Sequence, residues 1–145
     1  MRSLDDPQLL REIIMDHYEH PRNRGLVDDD EYKKVNMNSD TCIDDLDIQV
    51  KFDGDQIVDV RYDGEACAIC TSSTSIMSQL VKGKSKAEAK KIIENYMNMI
   101  YEKDYDVELL DEAIAFKNTH KQANRIKCAT LGWNGLIKLI EESEE

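Results

Sequence analysis

The strongest constraint on the fold of this chain is a β-hairpin pattern that lies between two of its four cysteines. Apolar and polar residues alternate over residues 46–52, which is typical of a half-buried strand. Residues 53–55, Asp-Gly-Asp, then supply a turn, and residues 57–62 predict the returning strand, with its two valines and its tyrosine on one face. A turn centred on the glycine pairs position 46 near position 62.

This hairpin brings residues of ligand type together. Extending the ladder past positions 46 and 62 places Cys42 and Asp44 across from the region of Cys67. A slip of one or two residues in the register would not separate them. Cys128, far downstream, is the remaining candidate, and three thiols with one carboxylate would suit a metal ion or a sulfur atom.

Helical patterns surround the hairpin. Asp6-Pro7 predicts a helix start, and a period of about 3.6 residues replaces the strand pattern after Glu65. Ser85 and Glu88 form a capping box. A short strand is predicted at 32–37, a shorter helix at 107–116, and a long last helix from about 123 to 142. The order predicts an α+β fold, in which helices cover one face of a small antiparallel sheet of about three strands.

The bulk properties exclude several classes of function. A chain of 145 residues fits one domain, which we place at 1–145. Its net charge of −11 argues against nucleic acid, and it has no apolar run of the ~20 residues that span a membrane. The N-terminus lacks the apolar stretch of a secretion signal, so a cytoplasmic protein is predicted. Thiols stay reduced there, which favours cysteine ligands over disulfides.

The surroundings of the cysteines support chemistry at this site. Cys67 falls where strand gives way to helix, near free backbone amides that favour the thiolate. Cys128 lies off the apolar stripe of the last helix, so we expect it on the wetter face. An oxygen ligand from Asp44 would be weakly held and exchangeable, which suits a reactive metal site better than a purely structural one. Cys70 is one helical turn from Cys67 and could replace Asp44.

Other interpretations of the cysteines remain open at this point. All four could be buried small hydrophobic residues. Cys67-x-x-Cys70 could be half of a zinc ribbon, although no second CxxC exists, or a redox pair without a thioredoxin-like setting.

Four motifs resemble the U-type iron–sulfur cluster assembly proteins, the NifU N-terminal or IscU-like family. They are residues 14–18 (Ile-Met-Asp-His-Tyr), 21–25 (Pro-Arg-Asn-Arg-Gly), 63–67 (Asp-Gly-Glu-Ala-Cys) and 125–133 (Arg-Ile-Lys-Cys-Ala-Thr-Leu-Gly-Trp). The resemblance spans nearly the whole chain. A long stretch between Cys67 and Cys128, and Lys127 in place of a histidine, resemble the SufU branch.

The resemblance implies a metal site made of Cys42, Asp44, Cys67 and Cys128, which binds zinc in SufU-like proteins. Cys42 would accept persulfide sulfur from a pyridoxal-phosphate cysteine desulfurase of the SufS type and pass it to downstream iron–sulfur assembly proteins. The chain would thus be a sulfurtransferase-like carrier. In IscU-like relatives the same positions hold a nascent iron–sulfur cluster, so a scaffold role is the alternative.

The chain also departs from this family. Ile43 stands where the family has glycine, and β-branched isoleucine resists backbone conformations that glycine allows. A divergent relative with a purely structural zinc site is therefore a third interpretation. Cys70 occupies a position that is usually serine in SufU-like proteins. Arg125 matches a family arginine near the site, where it would support docking or thiolate charge.

Overall fold

The computed structural model of the protein describes residues 6–39 and 43–145. Within that part of the chain, α-helices and strands follow one another in the order α1 (Pro7–Glu19), β1 (Tyr32–Asn38), β2 (Asp45–Asp53), β3 (Gln56–Glu65), α2 (Ala68–Val81), α3 (Lys86–Ile100), α4 (Val107–Leu110) and α5 (Ala123–Ser143). Two 3₁₀ helices, Asp111–Phe116 and Thr119–Lys121, connect α4 to α5.

The strands form an antiparallel sheet in the order β1-β2-β3, which confirms the predicted hairpin and the predicted first strand. The register differs from the prediction, because Leu46 pairs with Gly64 and Ile48 pairs with Tyr62. One residue of this shift comes from a two-residue turn at 54–55 and the other from a bulge. A shift of two keeps the side chains of β2, and those of Val60 and Tyr62 in β3, on their predicted face.

A β-bulge places one residue of β3, Val58, on a different face from the one predicted. The ladder is irregular between Lys51 and Phe52, and Val58 is the extra residue opposite them. Val58 is therefore 42% exposed, whereas Ile57 and Val60 are fully buried. Alternation alone does not show where a strand gains a residue.

The helix starts follow their capping residues. The Asp6 carboxylate accepts a backbone N–H in the first turn of α1, and Ser85 and Glu88 form the predicted capping box of α3. The helix predicted over 107–116 is only partly present, because α4 makes a single turn before a 3₁₀ helix. Asp111, with φ 45° and ψ −124°, leaves the helical region and ends α4.

The long helix α5 packs closely on two sides. A Cβ added at Gly132 would lie 2.5 Å from the Thr74 hydroxyl oxygen of α2, and one at Gly135 would lie 2.8 Å from Met37 of β1. Only glycine permits both approaches. Cys128 is consequently buried, with 7% of its surface exposed, so the prediction of a wetter face was wrong. A helix buried on two sides has no simple apolar stripe.

One buried core joins the sheet to α2, α3 and α5. The observed architecture confirms the predicted α+β class, the three-stranded sheet and the long C-terminal helix. Among the described helices, none combines the length and apolar character needed to cross a membrane.

Candidate metal centre

Three of the predicted ligands meet at one end of the sheet. Asp44 immediately precedes β2, Cys67 is the N-cap residue of α2, and Cys128 lies in the second turn of α5. One ligand atom from each lies within 4.8 Å of the other two. The hairpin thus brings one carboxylate and one thiol together, and the packing of α5 supplies the second thiol.

Asp44 and Cys67 also bond directly. The backbone N–H of Cys67 donates to Asp44 Oδ1 at 2.7 Å, and Cys67 Sγ lies 3.8 Å from Oδ2. Asp44 is 1% exposed, so its carboxylate is fixed by the start of α2 rather than by water. Cys67 Sγ also accepts the backbone N–H of Cys70 at 3.4 Å. The predicted position of Cys67 at a helix start is therefore confirmed.

A buried network, which we call the Ser73 network, fixes the turn of α5 that carries Cys128. The hydroxyls of Ser73 and Tyr96 donate to the carbonyl of Ala129 at 2.6 and 2.7 Å. Trp133 Nε1 donates to Ser73 Oγ at 2.9 Å, and its ring stacks on that of Tyr96. Since Ala129 follows Cys128 directly, these bonds hold Cys128 against α2.

The donor set fits a tetrahedral zinc ion. Two thiols and a carboxylate are ligand types that zinc takes, with Zn–S and Zn–O distances near 2.3 and 2.0–2.2 Å. Two ligands around one such ion lie about 4 Å apart, and the three atoms here lie within 4.8 Å of one another. Ionised together in a buried place, these groups would repel one another unless a cation joined them.

The remaining predicted site residues differ in placement. Cys42 lies outside the described residues. Cys70 is fully buried in the hydrophobic core and is not one of the three residues that meet, so its role as an alternative ligand stays a prediction. Arg125 lies exposed in the first turn of α5, one turn before Cys128, and its side chain makes no ion pair within residues 6–39 and 43–145.

Sequence reasoning missed a second polar cluster in the core. His17 is fully buried; its Nδ1 lies 2.8 Å from Ser75 Oγ and its Nε2 lies 3.2 Å from Glu112 Oε1. This cluster ties α1 and the first 3₁₀ helix to α2. The available signal was the run of serines and threonines at 71–75, which is unusual within a helix unless the hydroxyls find partners.

Comparison with known proteins agrees with this architecture. Residues 9–140 match the family described as NifU-like N terminal domain. The chain is 39% identical to the zinc-dependent sulfurtransferase SufU of Bacillus subtilis over 137 residues, covering 94% of this chain and 92% of that protein. It is 36% identical to the iron–sulfur cluster assembly scaffold protein IscU of Streptococcus pyogenes over 132 residues, covering 90% and 82%.

Solved structures give the same result. A crystal structure from Fervidobacterium islandicum AW-1, described as an iron–sulfur cluster assembly scaffold protein for the SUF system, superposes with a TM-score of 0.82 at 34% identity. The match covers 86% of this chain and 91% of that one. Sequence and structure together show that the chain belongs to the NifU-like N-terminal domain family.

Proposed function

We propose that this chain is a zinc-binding sulfur-transfer protein of iron–sulfur cluster biogenesis. It accepts persulfide sulfur from a pyridoxal-phosphate cysteine desulfurase and passes it to downstream assembly proteins. The observation that carries the proposal is the meeting of Asp44, Cys67 and Cys128 within 4.8 Å. The relative from B. subtilis, named a zinc-dependent sulfurtransferase, supports both the metal and the reaction.

In this proposal Asp44, Cys67 and Cys128 hold the zinc ion together with Cys42, and residues 1–145 act as one SufU/IscU-like domain. The bound ion would supply a positive charge that keeps the thiols deprotonated at neutral pH. The chain itself contributes orientation, because the start of α2 holds the Asp44 carboxylate and the Ser73 network holds the turn that carries Cys128.

Cys42 is the proposed sulfur acceptor. Its thiolate attacks the terminal sulfur of the persulfide on the desulfurase, so that a new S–S bond forms on Cys42. The S–S bond of the donor breaks, and the electron pair leaves with the desulfurase cysteine as a thiolate. No external oxidant or reductant is needed, because one persulfide is exchanged for another.

The first test replaces the acceptor. Cys42→Ala should abolish the stimulation of the desulfurase from the same organism, measured as alanine formed from cysteine. Cys70→Ala is the matched control, since it removes a thiol that is not one of the three residues that meet. Full stimulation by Cys42→Ala would refute the assigned role, and a parallel zinc analysis of both variants separates loss of the acceptor from loss of the metal.

A scaffold for a nascent iron–sulfur cluster is the second candidate, favoured by the likeness to the S. pyogenes scaffold protein. The two functions use the same residues but different metals. Anaerobic purification followed by metal analysis and a visible spectrum distinguishes them. One colourless zinc per chain supports sulfur transfer, whereas a brown protein with iron and sulfide supports the scaffold.

A further inference from the structure

A groove of about 330 Å³ is lined by residues that lie close in sequence to two of the metal ligands. It runs between α1 and the segment that leads into α5. Ile69, two residues after Cys67, and Arg125, one helical turn before Cys128, both line it. Its apolar lining also includes Leu10 and Phe116. An occupant of this groove would therefore contact residues two and three positions from two of the ligands.

The charge of the groove is opposite to that of the chain. Among residues 6–39 and 43–145, Arg11 and Arg125 line it and no carboxylate does, although the net charge of the chain is −11. The other arginines in residues 6–39 and 43–145 are engaged in ion pairs or backbone hydrogen bonds: Arg22, Arg24 and Arg61. Arg11 and Arg125 are exposed, and their side chains have no such partner in the same part of the chain.

The larger groove of the molecule lacks this property. It measures about 710 Å³ and is lined by residues of α1, α3 and α4 and by Leu80, at the opposite end of α2 from Cys67. Both signs of charge line it, namely two lysines and four carboxylates: Lys84, Lys91, Glu88, Glu108, Asp111 and Glu112. Its charges therefore do not favour an acidic partner, whereas those of the smaller groove do.

We propose that the groove of Arg11 and Arg125, the arginine groove, receives an acidic segment of the cysteine desulfurase. The two guanidiniums would pair with carboxylates, since arginine binds them through parallel hydrogen bonds. Between the carboxylates an apolar side chain would contact Leu10, Ile69 and Phe116. The proposal rests on the proposed function and names the surface on which the sulfur donor docks.

The amide groups at the rim of the groove suit an extended segment. Asn118 and Gln122 line the same groove, and each offers both a donor and an acceptor for a peptide backbone. Salt screens the attraction between exposed charges, and the Debye length of this screening is about 10 Å at an ionic strength of 0.1 M. Docking through the arginine groove should therefore weaken as NaCl rises.

The test is calorimetric titration of the zinc-loaded chain with the desulfurase of the same organism, at 50 and 300 mM NaCl. R11E/R125E should bind about 10-fold more weakly at 50 mM NaCl and lose most of the salt dependence. K33E/K34E is the matched control, because it makes the same change in net charge. Lys33 and Lys34 are exposed at the end of β1 farther from Asp44, and they should change the affinity less than twofold.

Variants of Arg11 alone test whether this residue acts in docking of the desulfurase rather than in the sulfur-transfer reaction. R11E should raise the half-saturating concentration for stimulation of the desulfurase and leave the maximal stimulation unchanged, and R11K should restore most of the affinity. Equal affinities of R11E/R125E and K33E/K34E would overturn the proposal. So would a dimer of this chain that R11E/R125E disrupts while desulfurase binding persists. A wild-type chain that does not bind the desulfurase would instead refute the proposed function, and the docking surface with it.

Discussion

Two polar clusters lie near each other along α2 and α5, and they differ in how their charges and hydrogen bonds are balanced. The Ser73 network matches each donor with an acceptor: two hydroxyls with one carbonyl, and the indole N–H of Trp133 with Ser73. The metal centre gathers Asp44, Cys67 and Cys128, all of which become negative when they ionise. The first cluster is complete within the protein, and the second is suited to a cation.

The difference means that the Ser73 network contributes rigidity, whereas the metal centre contributes chemistry. Buried polar groups that are fully satisfied hold a core in one arrangement, whereas clustered groups of like charge need an external partner. The chain places the two clusters on the same pair of helices, so that the Ser73 network positions the turn of Cys128. Perturbing each cluster should therefore give its own signature, which is loss of stability for the Ser73 network and loss of metal for the metal centre.

The largest expected effect is on metal binding. Cys128→Ser should lower zinc affinity by more than 100-fold, because loss of a mere outer-shell partner of a ligand already costs roughly 10–100-fold. Competition with a chromogenic chelator measures it. Cys70→Ala, in the same assay, should bind zinc as the wild type does. Equal affinity of Cys128→Ser and wild type would remove Cys128 from the centre.

A second variant perturbs the metal centre by displacing the backbone next to it. Gly64 has φ +137°, and a Cβ there would lie 2.1 Å from the carbonyl oxygen of Asp45, next to Asp44. Gly64→Ala should lower the free energy of unfolding by roughly 2–4 kcal/mol, through left-handed strain and displacement of β2. Urea unfolding measures it, and zinc affinity should fall as well.

Gly54→Ala is the control for the second variant. Gly54 also has positive φ, but nothing lies within 4 Å of an added Cβ. It should cost less stability and leave zinc affinity unchanged. If both alanine variants lose equal stability, strain rather than the close approach to Asp45 explains Gly64.

The Ser73 network should show the converse signature. Ser73→Ala leaves the buried N–H of Trp133 without its acceptor, so about 1–3 kcal/mol of stability should be lost while zinc binding is kept. Ser72→Ala is the matched control, because the Ser72 hydroxyl only donates to the carbonyls of Ile14 and Ala68. Equal losses in the two urea titrations would argue against an orphaned donor.

Lowering the pH should affect the two clusters differently, and it is the mildest of these perturbations. Thiolate ligands take up protons as pH falls, so lowering the pH from 7 to 5 should release zinc. The network should persist, because its hydroxyls, indole N–H and carbonyl do not gain or lose a proton between pH 7 and 5, and burial moves the pKa of Tyr96 still farther above this range. Zinc release and circular dichroism, followed together, test this. Simultaneous loss of zinc and of helical signal would contradict the separation.

The acid stability of the fold itself has an identifiable contributor in Asp59. Burial by itself would raise the pKa of this carboxyl. The Tyr32 hydroxyl and the Lys82 ammonium together lower the pKa by more than burial raises it, so it lies below its ordinary value of 3.8. A depressed pKa in the folded state gives stability that is complete above the unfolded pKa. This contribution should therefore be lost only below about pH 3.8, well after zinc has left. Asp59→Asn should remove that part of the acid dependence.

The sequence predicted the frame of the metal centre well because its signals are local. Alternation and an Asp-Gly turn specify the hairpin, and the strand-to-helix change places Cys67 at a cap. The exact register was not predictable, because the bulge at Lys51/Phe52 carries no residue of special conformation. The error did no harm, since the shift of two preserved the inward face of the strands.

Predictions that depend on long-range packing were less successful. Cys128 was expected on the wetter face, but glycines at 132 and 135 let α5 sink between α2 and the sheet. The hydroxyls of α2 were passed over because serine and threonine usually face water, whereas here Ser73 and Ser75 bond across helices. Such bonds join residues more than 50 positions apart, and no local pattern encodes them.

The stacking of Tyr96 on Trp133, with ring centroids 3.7 Å apart, has a practical consequence. Trp133 is the sole indole in the sequence, so light absorbed near 295 nm excites this one stack. Its emission reports directly on the segment that carries Cys128, without a label. Rapid-mixing fluorescence can therefore time when the segment responds to an arriving metal or protein.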